Sequence, residues 1–213
     1  MPRAILAALA AALVLLAPPR AQGQSFDELL KAVNAGDVKT VADFLDKGLD
    51  PNTTDRDGHT LLMTASRLGH LELVKLLIAR RASVARRSAQ GDTALMFTSL
   101  KGNVAIAELL IKHGAQVNQT GWAPLHYAAF EGRAEMVKLL LSKGGDKDAL
   151  APNGYSALML AARGGHLEAA RALLYEDVDV AIKAPDGLTA LEIAKGKRNG
   201  ELVELLKRAG AVD

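Results

Sequence analysis

Apolar residues in this chain recur at helical spacing in short bursts, each ended by a glycine and followed by a second burst. In "DGHTLLMTASRLGHLELVKLLIARRA" a turn leads to Thr60, whose hydroxyl can cap a helix amino terminus. Leu61, Leu62, Ala65 and Leu68 then fall on one face of a short amphipathic helix. Gly69 ends that helix and permits the left-handed backbone of a tight turn. A second helix is predicted over 71–79, with Leu71, Val74, Leu77 and Ile78 on one side.

The same pattern returns along the chain. Gly36, Gly69, Gly102, Gly132 and Gly165 are spaced 33, 33, 30 and 33 apart. A second series, Gly58, Gly91, Gly121, Gly154 and Gly187, is spaced 33, 30, 33 and 33. A third runs Gly48, Arg81, Gly114, Gly144, Asp177 and Gly210, with Arg and Asp twice in place of glycine. Those two residues must accept a left-handed backbone at about 1 kcal/mol each, or shift the turn. All three series lose three residues in the same register. A fixed period of this length marks stacked units, each too small to bury its own apolar face.

The units resemble ankyrin repeats, whose consensus D-x-x-G-x-T-P-L-H-x-A-A-x-x-G-H is followed by a helix and Gly-Ala. "APLHYAAFEGRAEMVKLLLSKGG" (123–145) is the nearest local match, beside "TLLMTASRLGHLELVKLLI", "TALMFTSLKGNVAIAELLI" and "SALMLAARGGHLEAARALL". The resemblance spans about 25–213 and implies an all-α solenoid of stacked helix-turn-helix units with projecting β-turn or hairpin tips. The expected units are a cap over 24–56, repeats over 57–89, 90–119 (short by three residues), 120–152 and 153–185, and a second cap over 186–213. The first and last units carry Asp, Lys, Arg, Asn and Glu where inner units are apolar, as ends facing water require.

The first residues do not belong to this array. A basic start, Met1 to Arg3, precedes an unbroken apolar run over 4–17, too short for the roughly 20 residues of a membrane-spanning helix. With the small residues that follow, this predicts a signal peptide over 1–23, cleaved after Ala21 or after Gly23. Its Ala/Leu-rich composition points to a bacterial periplasm, or to secretion elsewhere. Removal of 1–21 takes away Arg3 and Arg20 and leaves 24 basic against 24 acidic residues. A formally neutral chain lacks the basic excess of a nucleic-acid binder, and no later apolar run could span a membrane. There is no cysteine, so packing alone must hold the fold.

Little in the sequence suggests catalysis or a cofactor. His70, His126 and His166 occupy positions that the resemblance assigns to hydrogen bonds within and between repeats, and His113 precedes a terminating glycine. His59 alone falls where the pattern imposes nothing, on a turn tip. No zinc, calcium or phosphate-loop spacing is present, so no metal, cofactor or catalytic residue is expected. Arg80, Arg81, Arg86 and Arg87 could dock an acidic partner; the favoured reading is a solvated connection whose charges complement a helix carboxyl end.

What remains is a surface for another protein. The resemblance implies a concave face built from the tips and the exposed ends of the first helices. On it the sequence places His59, Trp122 and Tyr155 on tips, and Arg67, Leu100, Phe130 and Arg163 on first helices. Of eight aromatic residues, Phe97, Trp122, Tyr127, Phe130 and Tyr155 cluster in the middle repeats. Phe97 and Tyr127 suit core packing, whereas the other three suit partner contact. Val84 to Thr93 spans nine residues but Val117 to Ala123 spans six, so the deletion falls in a tip and leaves Trp122 beside a gap. This is either neutral drift in a loop, with Trp122 folded down over apolar surface, or a notch that receives a protruding element of a partner. Ala123 also replaces the capping Thr, which removes about 1 kcal/mol of cap. The expected function is a non-enzymatic protein-binding scaffold. A protective, chaperone-like factor for exported proteins is the alternative, and a small-ligand enzyme a distant third.

Overall fold

The computed structural model describes residues 19–212, which form twelve α-helices in six pairs. The pairs are α1 (Pro19–Ala35) with α2 (Val38–Asp46), α3 (Leu61–Leu68) with α4 (Leu71–Ala79), and α5 (Ala94–Lys101) with α6 (Val104–Lys112). They continue with α7 (Pro124–Phe130) and α8 (Ala134–Ser142), α9 (Ala157–Gly164) and α10 (Leu167–Tyr175), and α11 (Ala190–Gly196) and α12 (Gly200–Arg208). Most of the expected signal segment lies outside the described residues. Both expected cleavage points fall within the first turns of α1, which is longer at 17 residues than any other inner helix.

Hydroxyl caps start the inner helices. Thr60, Thr93, Ser156 and Thr189 accept the backbone N–H three residues on, at 3.2–3.3 Å. At α11 Glu192 returns a bond to the Thr189 N–H at 2.7 Å, a reciprocal box. At α3 and α5 the sulfurs of Met63 and Met96 take that role at 3.4 and 3.2 Å.

The first helix of each pair forms an inner layer in which neighbours lie flank to flank, and the second helices form a looser outer layer. This geometry widens the buried stripe beyond one face. Leu61 to Ser66 of α3 are all buried, as are Ala157 to Ala162 of α9. Leu68, counted on the buried face from its spacing, is 42% exposed because it lies at the helix end beyond the flanking contact. On α4 the buried set is Leu73, Val74 and Leu77, while Leu71 and Ile78 are only half-buried against the core. The same triplet recurs as Ile106, Ala107, Leu110 and as Met136, Val137, Leu140. In α10 it becomes Ala169, Ala170 and Leu173, and these small residues let α10 approach α8 more closely than other outer helices approach each other.

Polar reach between repeats locks the stack. The residue that starts each outer helix leans back over the terminal glycine of the preceding inner helix. His70 Nε2 meets the Asn34 carbonyl at 2.9 Å, and His166 Nε2 meets the Phe130 carbonyl at 2.9 Å. Arg133 Nε donates to the Leu100 carbonyl at 3.2 Å. A second ladder links the outer connections: Asn52, Asn118 and Asp148 each accept a backbone N–H of the next repeat at 2.8 Å.

These contacts explain which glycines can be replaced. Gly132 has φ +67, and a Cβ there would lie 2.5 Å from the His166 ring. Gly144 needs only its backbone angle, since nothing lies within 4 Å of an added Cβ. Arg81 and Asp177, in the same series as Gly144, adopt φ 66 and 55 as the sequence anticipated. Arg198 does likewise at φ 56, a residue the sequence reading passed over. It continues the Gly132 series into the last pair, where no later residue leans across it. We therefore expect Gly144→Ala to cost about 1 kcal/mol, the left-handed backbone penalty alone. Gly132→Ala should cost at least about 2 kcal/mol, because the His166 bond is lost as well. Urea unfolding midpoints of the two variants, compared with the parent, check the difference.

Candidate partner-binding face

Four of the five tips between inner units close in the same way. Asp55, Ser88, Ala151 and Ala184 donate their backbone N–H to the carbonyls of His59, Asp92, Tyr155 and Leu188, each at 2.9 Å. A glycine one residue before each of those carbonyls takes the positive φ that such tight turns need. The deletion removes this backbone pair from the tip between α6 and α7. Trp122 occupies the position of the closing carbonyl, and the Gln119 side-chain amide donates to it at 2.7 Å. A side chain thus replaces the missing turn of main chain. Nothing in the repeat pattern signalled that role for Gln119; its place three residues before Trp122 was the available hint.

The helix that follows the short tip is held by an imidazole. Ala123 offers no cap, but His126 Nδ1 accepts the Ala123 N–H at 3.0 Å. Nε2 lies 2.9 Å from the Ala149 carbonyl in the next repeat. An acceptor at Nδ1 and a donor at Nε2 define a neutral ring protonated at Nε2. Burial holds the His126 pKa below the usual imidazole value, opposed in part by the Ala149 bond and the Asp146 charge.

Trp122 is half-buried against the core. Its ring lies edge-on to His126 at 6.0 Å and tilted by 47° to Tyr127 at 5.7 Å between centroids. Tyr127 donates its hydroxyl to Asp92 Oδ1 of the preceding tip at 2.8 Å. Burial first, and the Asp92 carboxylate second, raise the phenol pKa so that it stays protonated. Beside this group the missing residues leave a cavity of about 200 Å³ whose lining includes Gln90, Asp92, Gln119, Trp122, Tyr127 and Pro152. The gap beside Trp122 is therefore a defined notch between two full-length tips.

The other expected surface residues separate into two groups. Arg67, Leu100, Phe130 and Arg163 each stand two residues before an inner-helix glycine or Gly-equivalent turn, so stacking arranges them in one row across α3, α5, α7 and α9. Leu100 is half-buried and Phe130 is 48% exposed, with an exposed arginine at each end of the row. Tyr155 is half-buried, with the Arg163 guanidinium 5.8 Å above its ring and its hydroxyl 3.3 Å from Asp186. His59 stands apart. Rather than a free tip residue, it is half-buried, edge-on to Phe97 at 5.3 Å and 3.3 Å from Asp55 Oδ2. Asp55, Asp57 and His59 come close enough to suggest a cation site. Asp55 Oδ1, however, already accepts the N–H groups of Asp57 and His59, both at 2.9 Å, and so builds the turn.

Two features lie off this face. A concavity of about 620 Å³ belongs to the first helix pair, where it is bounded by Glu28, Asp43, Phe44 and Leu49. Tyr175, at the end of outer helix α10, is 87% exposed and was not singled out from the sequence.

Stacked helix pairs with hairpin tips define a repeat solenoid. A family model for three consecutive ankyrin repeats matches residues 29–120, 82–151 and 144–212. The chain belongs to the ankyrin-repeat family, whose repeats mediate protein–protein interactions. It is 37% identical over 98 residues to mouse protein phosphatase 1 regulatory subunit 27, covering 44% of this chain and 64% of that one. It is 34% identical over 124 residues to the platypus (Ornithorhynchus anatinus) ankyrin repeat, SAM and basic leucine zipper domain-containing protein 1, covering 54% of this chain and 26% of that one. The chain thus spans less than two-thirds of these relatives. The human ASB11 ankyrin repeat domain superposes with a TM-score of 0.81 at 24% identity, covering 86% of this chain and 84% of that structure. Among the described residues no helix is long and apolar enough to cross a membrane.

The His126 environment sets a pH dependence. An unfolded histidine titrates near about 6.5, above the depressed folded value, so the unfolded chain binds a proton first as pH falls. The stabilisation is complete above about pH 6.5 and declines as pH drops toward the folded value. A glutamine can still accept the Ala123 N–H but does not titrate. The unfolding free energy of His126→Gln should therefore lie below the parent at pH 7.5, with the gap narrowing at pH 5. A gap independent of pH would contradict the neutral ring.

Proposed function

We propose that this chain is an exported, non-enzymatic scaffold that grips a partner protein with the concave face of its central repeats. The observation that carries the reading is the row across the inner helices. An exposed aromatic, Phe130, stands mid-array with no use in the fold for its ring, beside Leu100 and between Arg67 and Arg163. Aromatic and arginine anchors gathered at the centre of a patch are the usual composition of binding hot spots. Trp122 and Tyr155 lie on neighbouring tips and widen the same patch. A regulatory subunit among the relatives, by its printed name, fits a role in which binding itself is the activity.

Export is part of the proposal. The basic start, the apolar run over 4–17 and the small residues after it support a leader peptide, and a cysteine-free chain folds equally in an oxidising compartment. In a bacterium the destination is the periplasm.

A carboxyl-terminally tagged chain, expressed in its source organism and cross-linked in place, should capture one stoichiometric partner. Phe130→Ala should weaken that capture at least tenfold while changing unfolding free energy by less than about 1 kcal/mol, as an exposed site allows. Many substoichiometric clients would instead indicate a general protective factor. The intact mass of the same preparation should correspond to a chain beginning at Gln22 or Gln24, and a retained Met1 would end the export reading.

A further inference from the structure

The notch left by the short tip has a chemistry of its own. We propose that it receives a basic side chain, a lysine or arginine carried on a protruding segment of the partner protein. The inference rests on the scaffold reading and adds the chemical identity of what enters.

Two features converge on that choice. Trp122 and Tyr127 both line the cavity, their ring centroids 5.7 Å apart. Two aromatic rings bordering one small space favour a cation, which is attracted wherever it can lie over a ring. Asp92 lines the same space. Its Oδ1 holds the Tyr127 hydroxyl at 2.8 Å, and its other oxygen has no partner among the described residues. A half-buried carboxylate with a free oxygen beside two rings is the counter-charge such a guest requires.

Gln119 fixes the wall of the space. Its Nε2 faces two acceptors, the Trp122 carbonyl at 2.7 Å and the Met96 sulfur at 3.0 Å. Turning the amide over would set its oxygen against both, so its orientation is fixed. Lysine and arginine donate without accepting, which suits the free Asp92 oxygen. The cavity, about 200 Å³, is smaller than the roughly 300–1,000 Å³ of small-molecule sites, which suits one side chain.

Arg87 also reaches the cavity edge and is the feature that argues for an acidic guest. It is exposed, makes no ion pair with Asp92, and can turn to solvent. An acidic guest would meet the Asp92 carboxylate, which repels it. The balance favours the cation.

The chain contains one tryptophan, so its fluorescence reports on the notch alone. The full chain is titrated with acetyl-Gly-Lys-Gly-amide, with its arginine analogue, and with matched norleucine and glutamate peptides. Free N-acetyl-tryptophanamide serves as the control for non-specific quenching. The lysine and arginine peptides should give a saturable change, at least tenfold stronger than norleucine or glutamate. Asp92→Asn, which keeps an acceptor for Tyr127, should weaken lysine binding at least fivefold, and Arg87→Ala should leave it unchanged or tighten it. Norleucine binding as well as lysine would overturn the proposal in favour of an apolar pocket. Glutamate binding that Arg87→Ala abolishes would overturn it in favour of an anion site. No saturable change with any peptide would also overturn it. None of these results touches the capture experiment with Phe130→Ala, so the scaffold reading stands or falls separately.

Discussion

The structure depends on inner helices that are buried on both flanks. Six consecutive residues of α3 and six of α9 are out of solvent, which no isolated helix pair could arrange. Each repeat completes the core of its neighbours, and nearest-neighbour contact supplies the stability that a single centre gives a globular domain. Flank-to-flank approach in turn demands helix ends without bulk. That is why His70, Arg133 and His166 can lean across Gly36, Gly102 and Gly132 to the preceding inner repeat. Packing and the polar ladder are one constraint expressed twice, because the glycines that permit close approach also clear the path for the bonds.

The same constraint explains how a deletion can sit in the middle of the array. Helix lengths are set by stacking, and α6 keeps all nine residues. Tip length is not set by stacking. Three polar side chains repair what the deletion removes. Asn118 preserves the inter-repeat bond to Asp146, Gln119 closes the shortened tip, and His126 serves both the start of α7 and the next repeat. The absence of main chain in the tip is therefore fully accommodated by the fold, and the cavity persists because the neighbouring tips remain long.

Much of this was legible in the sequence because glycine spacing and cap residues act locally. Thr60, Gly69 and the unusual Arg81 and Asp177 behave as their positions demand. What sequence periodicity missed lies across repeats. A one-sided helical pattern understated the burial of Met63, Thr64 and Ser66, since their covering comes from a second neighbour. Leu73 belongs to the core while Leu71 only borders it, because the outer helix turns its i, i+1, i+4 triplet inward. His59 looked free because its partner Phe97 lies in the following repeat. Trp122 and Tyr155, expected from the sequence to meet a partner, are half-buried against the core, so only part of each ring is open. Gln119 was legible only through its place three residues before Trp122, since a glutamine in a polar loop carries no mark of the carbonyl it will bind.

The binding face follows from a division of labour within single residues. At Leu100 and Phe130 the carbonyl is structural, accepting Arg133 Nε and His166 Nε2 respectively. Those bonds engage only the main chain of the two residues. Stacking therefore fixes where the row stands while leaving its chemistry open, and neighbouring repeats can present Arg, Leu, Phe and Arg without altering the core. Substitution at those four positions would change the surface and leave the stacked frame as it is. The notch differs, because Gln119, Tyr127 and Asp92 are tied into the structure around it, so its specificity is bound to the deletion that created it.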